Sequence, residues 1–134
     1  AEERFRTAIK ATPQDYAANL LLAKCLAAQN KGPQALEYAR SATRIYPQEG
    51  QAHKLVGVLY LAQGEPAAAY EHLGQYDRLL PGDAGVTFLR GISLEGMDRR
   101  QEAAVHYQAY LKRVQKGKAA EHAYSRLQAW GYLK

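Results

Sequence analysis

Apolar residues recur along this chain at the three- and four-residue spacing of a helix, in stretches cut by short polar or turn-forming segments. Phe5, Ala8 and Ile9 share one helical face near the start. Ala120, Ala123, Tyr124 and Leu127 share another near the end, opposite Lys118, Glu121, His122 and Arg126. The pattern predicts helices near 1–11, 16–29, 33–45, 50–63, 66–79, 84–97, 100–114 and 118–130. Composition agrees: Ala and Leu, strong helix formers, are abundant, and β-branched residues are few.

The interruptions are periodic. Pro13, Pro47 and Pro81 are spaced 34 residues apart, and each precedes a polar or turn-forming pair: Gln14-Asp15, Gln48-Glu49 and Gly82-Asp83. Proline lacks an N–H and clashes with the preceding turn, so it stops a helix; the acid two residues on suits the start of the next. With proline set as position 32 of a 34-residue unit, other columns align. Position 8 holds Ala23, Gly57 and Gly91. Position 20 holds Ala35, Ala69 and Ala103, with Ala1 falling on it as well. Position 15 holds the turn formers Asn30, Gly64 and Asp98. Small residues at 8 and 20 let the two helices of a hairpin approach closely. Larger residues at positions 24 and 30 (Phe5, Leu73, Tyr107; Ile45, Leu79) fill the seam to the next hairpin. One hairpin cannot bury its own apolar face, so the units must stack.

These columns resemble the signature of the tetratricopeptide repeat family, over essentially the whole chain. The resemblance implies an all-α fold, a right-handed α-solenoid of helix-turn-helix repeats. The expected order is a half repeat at about 1–15, repeats at 16–49, 50–83 and 84–117, and a capping helix over 118–134. The chain departs from the signature at position 4, where Asn19, His53 and Thr87 replace the usual Trp. It departs again where Tyr76 and Tyr110 occupy position 27 and where Gln115 replaces the next Pro. Because Ala1 falls inside a second helix, the register predicts a single repeat domain cut from a longer polypeptide. At the other end, Trp130, Tyr132 and Leu133 are expected to tuck against the last hairpin.

Charge refines this picture only at one end. The formal charge is +5, and residues 112–134 carry six cations against Glu121 alone. An acidic partner fits that end, as does a solvated helix face. The cations are not interleaved with stacking aromatics and no nucleic-acid-reading motif occurs, so nucleic acid is not an expected partner. No apolar run approaches the roughly 18 residues of a membrane span. Cys25 is the single cysteine, which rules out an intrachain disulfide.

Catalytic chemistry is not encoded in any motif of the chain. There is no H-E-x-x-H, C-x-x-C, G-x-x-x-x-G-K or G-x-G-x-x-G. Ser93, in Gly91-Ile92-Ser93-Leu94-Glu95, shares position 10 with Cys25, Leu59 and Leu127, which is a packing column. His72 and His106, both at position 23, could bridge adjacent repeats through a metal, yet further ligands are hard to supply from His53 and His122 on first helices. No metal and no cofactor is expected.

In the family that the columns resemble, first helices line a concave face through positions 2, 5, 9 and 12. That implies a ligand groove of Leu20 and Lys24, then Gln51, Lys54, Val58 and Leu61, then Phe88, Ile92 and Glu95, ending at His122 and Arg126. Leu20, Val58 and Phe88 serve equally well as packing between repeats. Apolar residues flanked by cations suit a protein or peptide partner with acidic flanks. The family's clamp for a C-terminal carboxylate needs Lys and Asn at positions 5 and 9; here those columns hold Leu20/Lys24, Lys54/Val58 and Phe88/Ile92, which disfavours such a tail. The expected function is a non-enzymatic protein-interaction scaffold. A second expectation comes from His122 to Leu127, Trp130-Gly131-Tyr132 and Tyr46-Pro47-Gln48-Glu49, which loosely resemble the non-catalytic tails of bacterial zinc metalloproteases. That resemblance implies substrate presentation or docking, at the bacterial cell envelope or periplasm.

Overall fold

The computed structural model describes residues 1–133; Lys134, the last residue expected in the capping unit, lies outside them. Eight helices follow one another among the described residues: α1 (Glu2–Ala11), α2 (Tyr16–Ala28), α3 (Gly32–Ile45), α4 (Gly50–Ala62), α5 (Pro66–Leu79), α6 (Ala84–Gly96), α7 (Arg100–Arg113) and α8 (Lys118–Ala129). No strand occurs among those residues.

Local chemistry explains the punctuation. Thr12, Tyr46 and Leu80, each just before a proline, have φ of −139°, −140° and −134°. A residue before proline is pushed out of the helical region in this way. Val114 reaches φ −134° ahead of Gln115, so the last of these stops forms without proline. At the following starts, Asp15 accepts from the Ala18 amide at 3.1 Å and Asp83 from the Val86 amide at 3.2 Å. Glu49 at the matching place makes no side-chain cap bond; its longer side chain suits an N-cap less well than Asp. Within hairpins, Asn30, Gly64 and Asp98 take φ of 61°, 75° and 61°. This left-handed turn lets the next amide reach back to close the helix: Lys31 to Leu26, Glu65 to Tyr60 and Arg99 to Leu94, each at 2.9 Å.

The small columns are where helix axes come close. Ala35, Ala69, Ala103 and Ala23 are fully buried, and Gly57 and Gly91 are buried with them. A Cβ on Gly57 would lie 2.7 Å from Leu73 Cγ, and one on Gly91 2.7 Å from Tyr107 Cε1. Where position 8 is glycine, position 24 is large; where it is Ala23, position 24 is Ala39, in the same core cluster. Leu22, Leu26, Leu73, Leu94 and Leu127 are sealed from solvent, each contributing about 1.5–3 kcal/mol by burial.

Each helix packs chiefly on its chain neighbours. In addition α2 touches α4 and α4 touches α6, while consecutive second helices make no comparable contact. The first helices therefore lie on the inner, tighter side of the curve. At the far end Ala120, Ala123 and Leu127 of α8 are buried, but Tyr124, expected with them, is 50% exposed. Tyr124 falls at position 7, whose counterparts Leu22 and Val56 are both sealed in the core cluster of the first hairpins. Trp130 stacks on Tyr107, 6.0 Å between ring centroids, and Leu133 joins the same cluster. Tyr132 does not tuck in with them and stays 41% exposed.

Candidate binding groove

On α2 the residues open to solvent fall at 17, 21, 24 and 28, one stripe of a 3.6-residue helix turned away from the second helices. Leu21 lies on it, 40% exposed, with Lys24 one turn on. Leu20, expected in the groove, is only 8% exposed and packs with Ala42 and Ala52 in the seam between repeats. Adjacent helical residues point about 100° apart, so Leu20 takes its packing role between repeats while its neighbour Leu21 is the one open to solvent. On α4, Gln51 and Val58 (39% exposed) continue the stripe, and Leu61 turns into the cluster of Leu73, Tyr76 and Val86.

Lys54 does not stand free. Its Nζ lies 3.3 Å from Asp83 Oδ2 and 5.4 Å from the centre of the Tyr76 ring, and the Tyr76 hydroxyl donates to the same carboxylate oxygen at 2.9 Å. Burial alone would raise the Asp83 carboxyl; the bonds from Tyr76, the Val86 amide and Lys54 outweigh it and hold the carboxyl below its ordinary range. This set ties the second repeat to the start of α6.

Further along, the face closes. Phe88 is half-buried among Tyr107, Tyr110 and His122, and Ile92 packs on the same cluster. Glu95, His122 and Arg126 converge: Glu95 Oε1 accepts from the Tyr107 hydroxyl at 2.6 Å and lies 3.2 Å from His122 Nε2, and Glu95 Oε2 lies 3.7 Å from Arg126 Nε. Burial, then the Glu95 carboxylate, push the Tyr107 phenol well above its usual range. It is a fixed donor. Glu95 is thus matched by its own neighbours, leaving Leu21, Lys24, Gln51 and Val58 as the open part of the face.

The histidines pair differently from the column expectation. His72 stacks on His53, with 5.5 Å between ring centroids and Nδ1 atoms 3.3 Å apart, while His106 Nδ1 lies 3.0 Å from the Glu102 carbonyl. His53 is 3% exposed and its Nε2 lies 2.9 Å from the Pro47 carbonyl. That contact assigns the proton to Nε2 and leaves Nδ1 to accept from His72. Asn19, one repeat earlier, donates to the Pro13 carbonyl at 3.2 Å. Thr87 donates to the Asp83 carbonyl at 3.3 Å instead. The signal was in the sequence: a polar residue at position 4 follows each proline by six residues. Ser93 is fully buried and donates to Leu89 O at 3.0 Å, and Cys25 is a half-buried free thiol. Among the described residues no group of three or more His, Cys, Asp or Glu side chains is placed to hold a metal ion, and no helix is long and apolar enough to cross a membrane.

Similarity to known proteins follows the architecture. A crystal structure of MamA matches with TM-score 0.88 at 17% identity, covering 97% of this chain and 77% of that one. The first tetratricopeptide domain of Spaghetti (RPAP3), bound to the HSP90 peptide SRMEEVD, matches with TM-score 0.79 at 15% identity, covering 88% and 94%. YrrB, described as a TPR protein with an unusual peptide-binding site, matches with TM-score 0.72 at 19% identity, covering 84% of this chain and 58% of YrrB. This chain thus spans less than two thirds of YrrB, and likewise 61% of a second MamA chain. At these identities the likeness establishes the fold. No curated protein is significantly similar to the chain in sequence. The family model for the tetratricopeptide repeat matches residues 1–50 and 28–84, more than half of the chain between them. With that match, the 34-residue register and the stacked hairpins, the chain belongs to the tetratricopeptide repeat family.

Proposed function

We propose that the chain is a protein-interaction scaffold, one repeat domain over residues 1–134, whose inner face takes a peptide segment of a partner. The observation that carries this reading is the open stripe on the first helices. Leu21 and Val58 stay 40% and 39% exposed beside exposed Lys24, on a face that the second helices do not cover. Exposed apolar side chains framed by polar ones are the usual make-up of a docking site. Lys24 favours an acidic residue next to the ligand's apolar anchor. YrrB and RPAP3, whose descriptions name peptides, share the fold and support the reading. The pairs Leu20/Lys24, Lys54/Val58 and Phe88/Ile92 do not repeat the family's carboxylate clamp, so an internal segment is favoured over a free C-terminus.

The test is capture of ligands from a peptide library, followed by titration against Leu21→Asp/Val58→Asp and Lys24→Glu. Both sites are exposed, so the circular dichroism spectrum should be unchanged. The double variant should bind at least about tenfold more weakly and Lys24→Glu about threefold to tenfold. Unchanged affinity in the double variant would place the ligand elsewhere.

A further inference from the structure

The outer side of the stack carries a column of charge that no ion pair within the chain answers. Position 29, in the last turn of every second helix, holds Lys10, Arg44, Arg78 and Lys112, all exposed. None of the four forms an ion pair among the described residues; Arg44 donates to Ser41 Oγ at 3.2 Å. Cations in a last turn stabilise any helix through its dipole. Yet α2, α4 and α6 have the same dipole and no basic residue there, and Arg126 of α8 lies against Glu95. Helix stability alone does not account for a column confined to the second helices. Because the hairpins repeat, these last turns line one edge of the stack. Beside the two central cations the same edge exposes Tyr46, Leu79 and Leu80. Of the nearby acids, Asp15 caps α2, Asp77 pairs with Arg90, Asp83 is held by Lys54 and Tyr76, and Glu49 is exposed. Glu3, Glu37 and Glu71, at position 22, stand two turns back along the same helices, about 10 Å away.

We infer that this edge docks an extended acidic segment of a partner protein, with carboxylates on the cation column and apolar side chains on Tyr46, Leu79 and Leu80. The acidic character follows from charge complementarity with four unanswered cations. The glutamates at position 22 repel such a segment from the rest of the outer face and confine it to the helix ends. The extended form follows from spacing. Consecutive second helices are not in contact, so their last turns are further apart than the roughly 8–10 Å of packed helices. At about 3.3 Å per residue, a strand brings an acid to each successive cation every three to four residues. A polyanion without apolar side chains would leave Leu79 and Leu80 uncovered. Exposed ion pairs are individually weak and screened by salt, so binding is salt-dependent and needs several of the cations together.

The probe is a fluorescent peptide of four Glu-Ser-Leu triplets, compared with a peptide of the same composition whose four glutamates are contiguous. Titrated with the intact chain at low salt, the spaced peptide should bind saturably and several-fold more tightly than the contiguous one. Added salt should weaken it. Arg44→Glu/Arg78→Glu, at exposed positions, should weaken binding at least about tenfold, with circular dichroism unchanged. Lys24→Glu/Lys31→Glu changes the net charge equally, from the inner face and a hairpin turn, and should leave binding within about twofold. That control also separates this edge from the groove proposed above. Equal losses in the two double variants would reduce the effect to net charge and overturn the proposal. So would equal binding of the contiguous peptide, no saturable binding at all, or displacement of the probe as readily by a DNA oligonucleotide of equal charge as by unlabelled peptide.

Discussion

A single methyl group separates the two solutions found where position 8 meets position 24. In Gly91→Ala the new Cβ would meet a sealed Tyr107 ring at 2.7 Å, with the ring held by its bond to Glu95 and by stacked Trp130. Alanine gains up to about 1 kcal/mol over glycine inside a helix, but overpacking a rigid core costs about 1–3 kcal/mol. Denaturant unfolding should therefore show Gly91→Ala destabilised by about 1–2 kcal/mol; a gain in stability would mean the ring yields. His72 makes a second prediction at this scale. Burial and then His53, with Arg40 adding and Glu71 opposing, lower its pKa below the ordinary 6.5. The unfolded chain binds that proton more readily, so this stability is present above pH 6.5 and is lost as pH falls through and below it. The melting temperature should drop between pH 7 and pH 5, and His72→Gln should flatten the drop. These pairings were not legible in the sequence. They depend on which residue of one helix crosses which of another, and column matching sees only neighbours 34 apart.

Helix by helix, the punctuation was legible almost to the residue, because prolines, caps and left-handed turns are local devices that act through chain neighbours. Faces were harder. Leu20 and Leu21 differ by one step of the helix, and the seam with Ala42 and Ala52 decides between them. Tyr124 reads as buried from periodicity, yet it is 50% exposed on the same helix whose Ala120, Ala123 and Leu127 are buried. The starts of α2, α4 and α6 give a graded test of capping. Asp15→Ala should cost about 1 kcal/mol. Asp83→Ala should cost more, since Asp83 also holds Tyr76 and Lys54, and Glu49→Ala should change stability by less than about 0.5 kcal/mol. Equal losses at all three in thermal unfolding would contradict the observed caps.

For the whole molecule, stability is distributed along one dimension, since each helix leans mainly on the next. α1 has no buried residue, whereas α2 has six and α8 three, including Ala123 and Leu127 sealed from solvent. Amide hydrogen exchange should find α1 opening first and the α2–α7 stretch last, with α8 protected well beyond α1. Uniform protection would show a stack that melts only as a unit.

The reciprocal sizing at positions 8 and 24 makes the repeats non-interchangeable, although they share a length. If α5 were transplanted to follow α2, Leu73 would arrive where Ala23 already carries a methyl. If α3 were transplanted to follow α4, Ala39 would leave a leucine-sized void over Gly57. Modular as the 34-residue ruler looks, each hairpin is keyed. New lengths of this chain can be spliced only between complete hairpins, never by trading one helix for its counterpart.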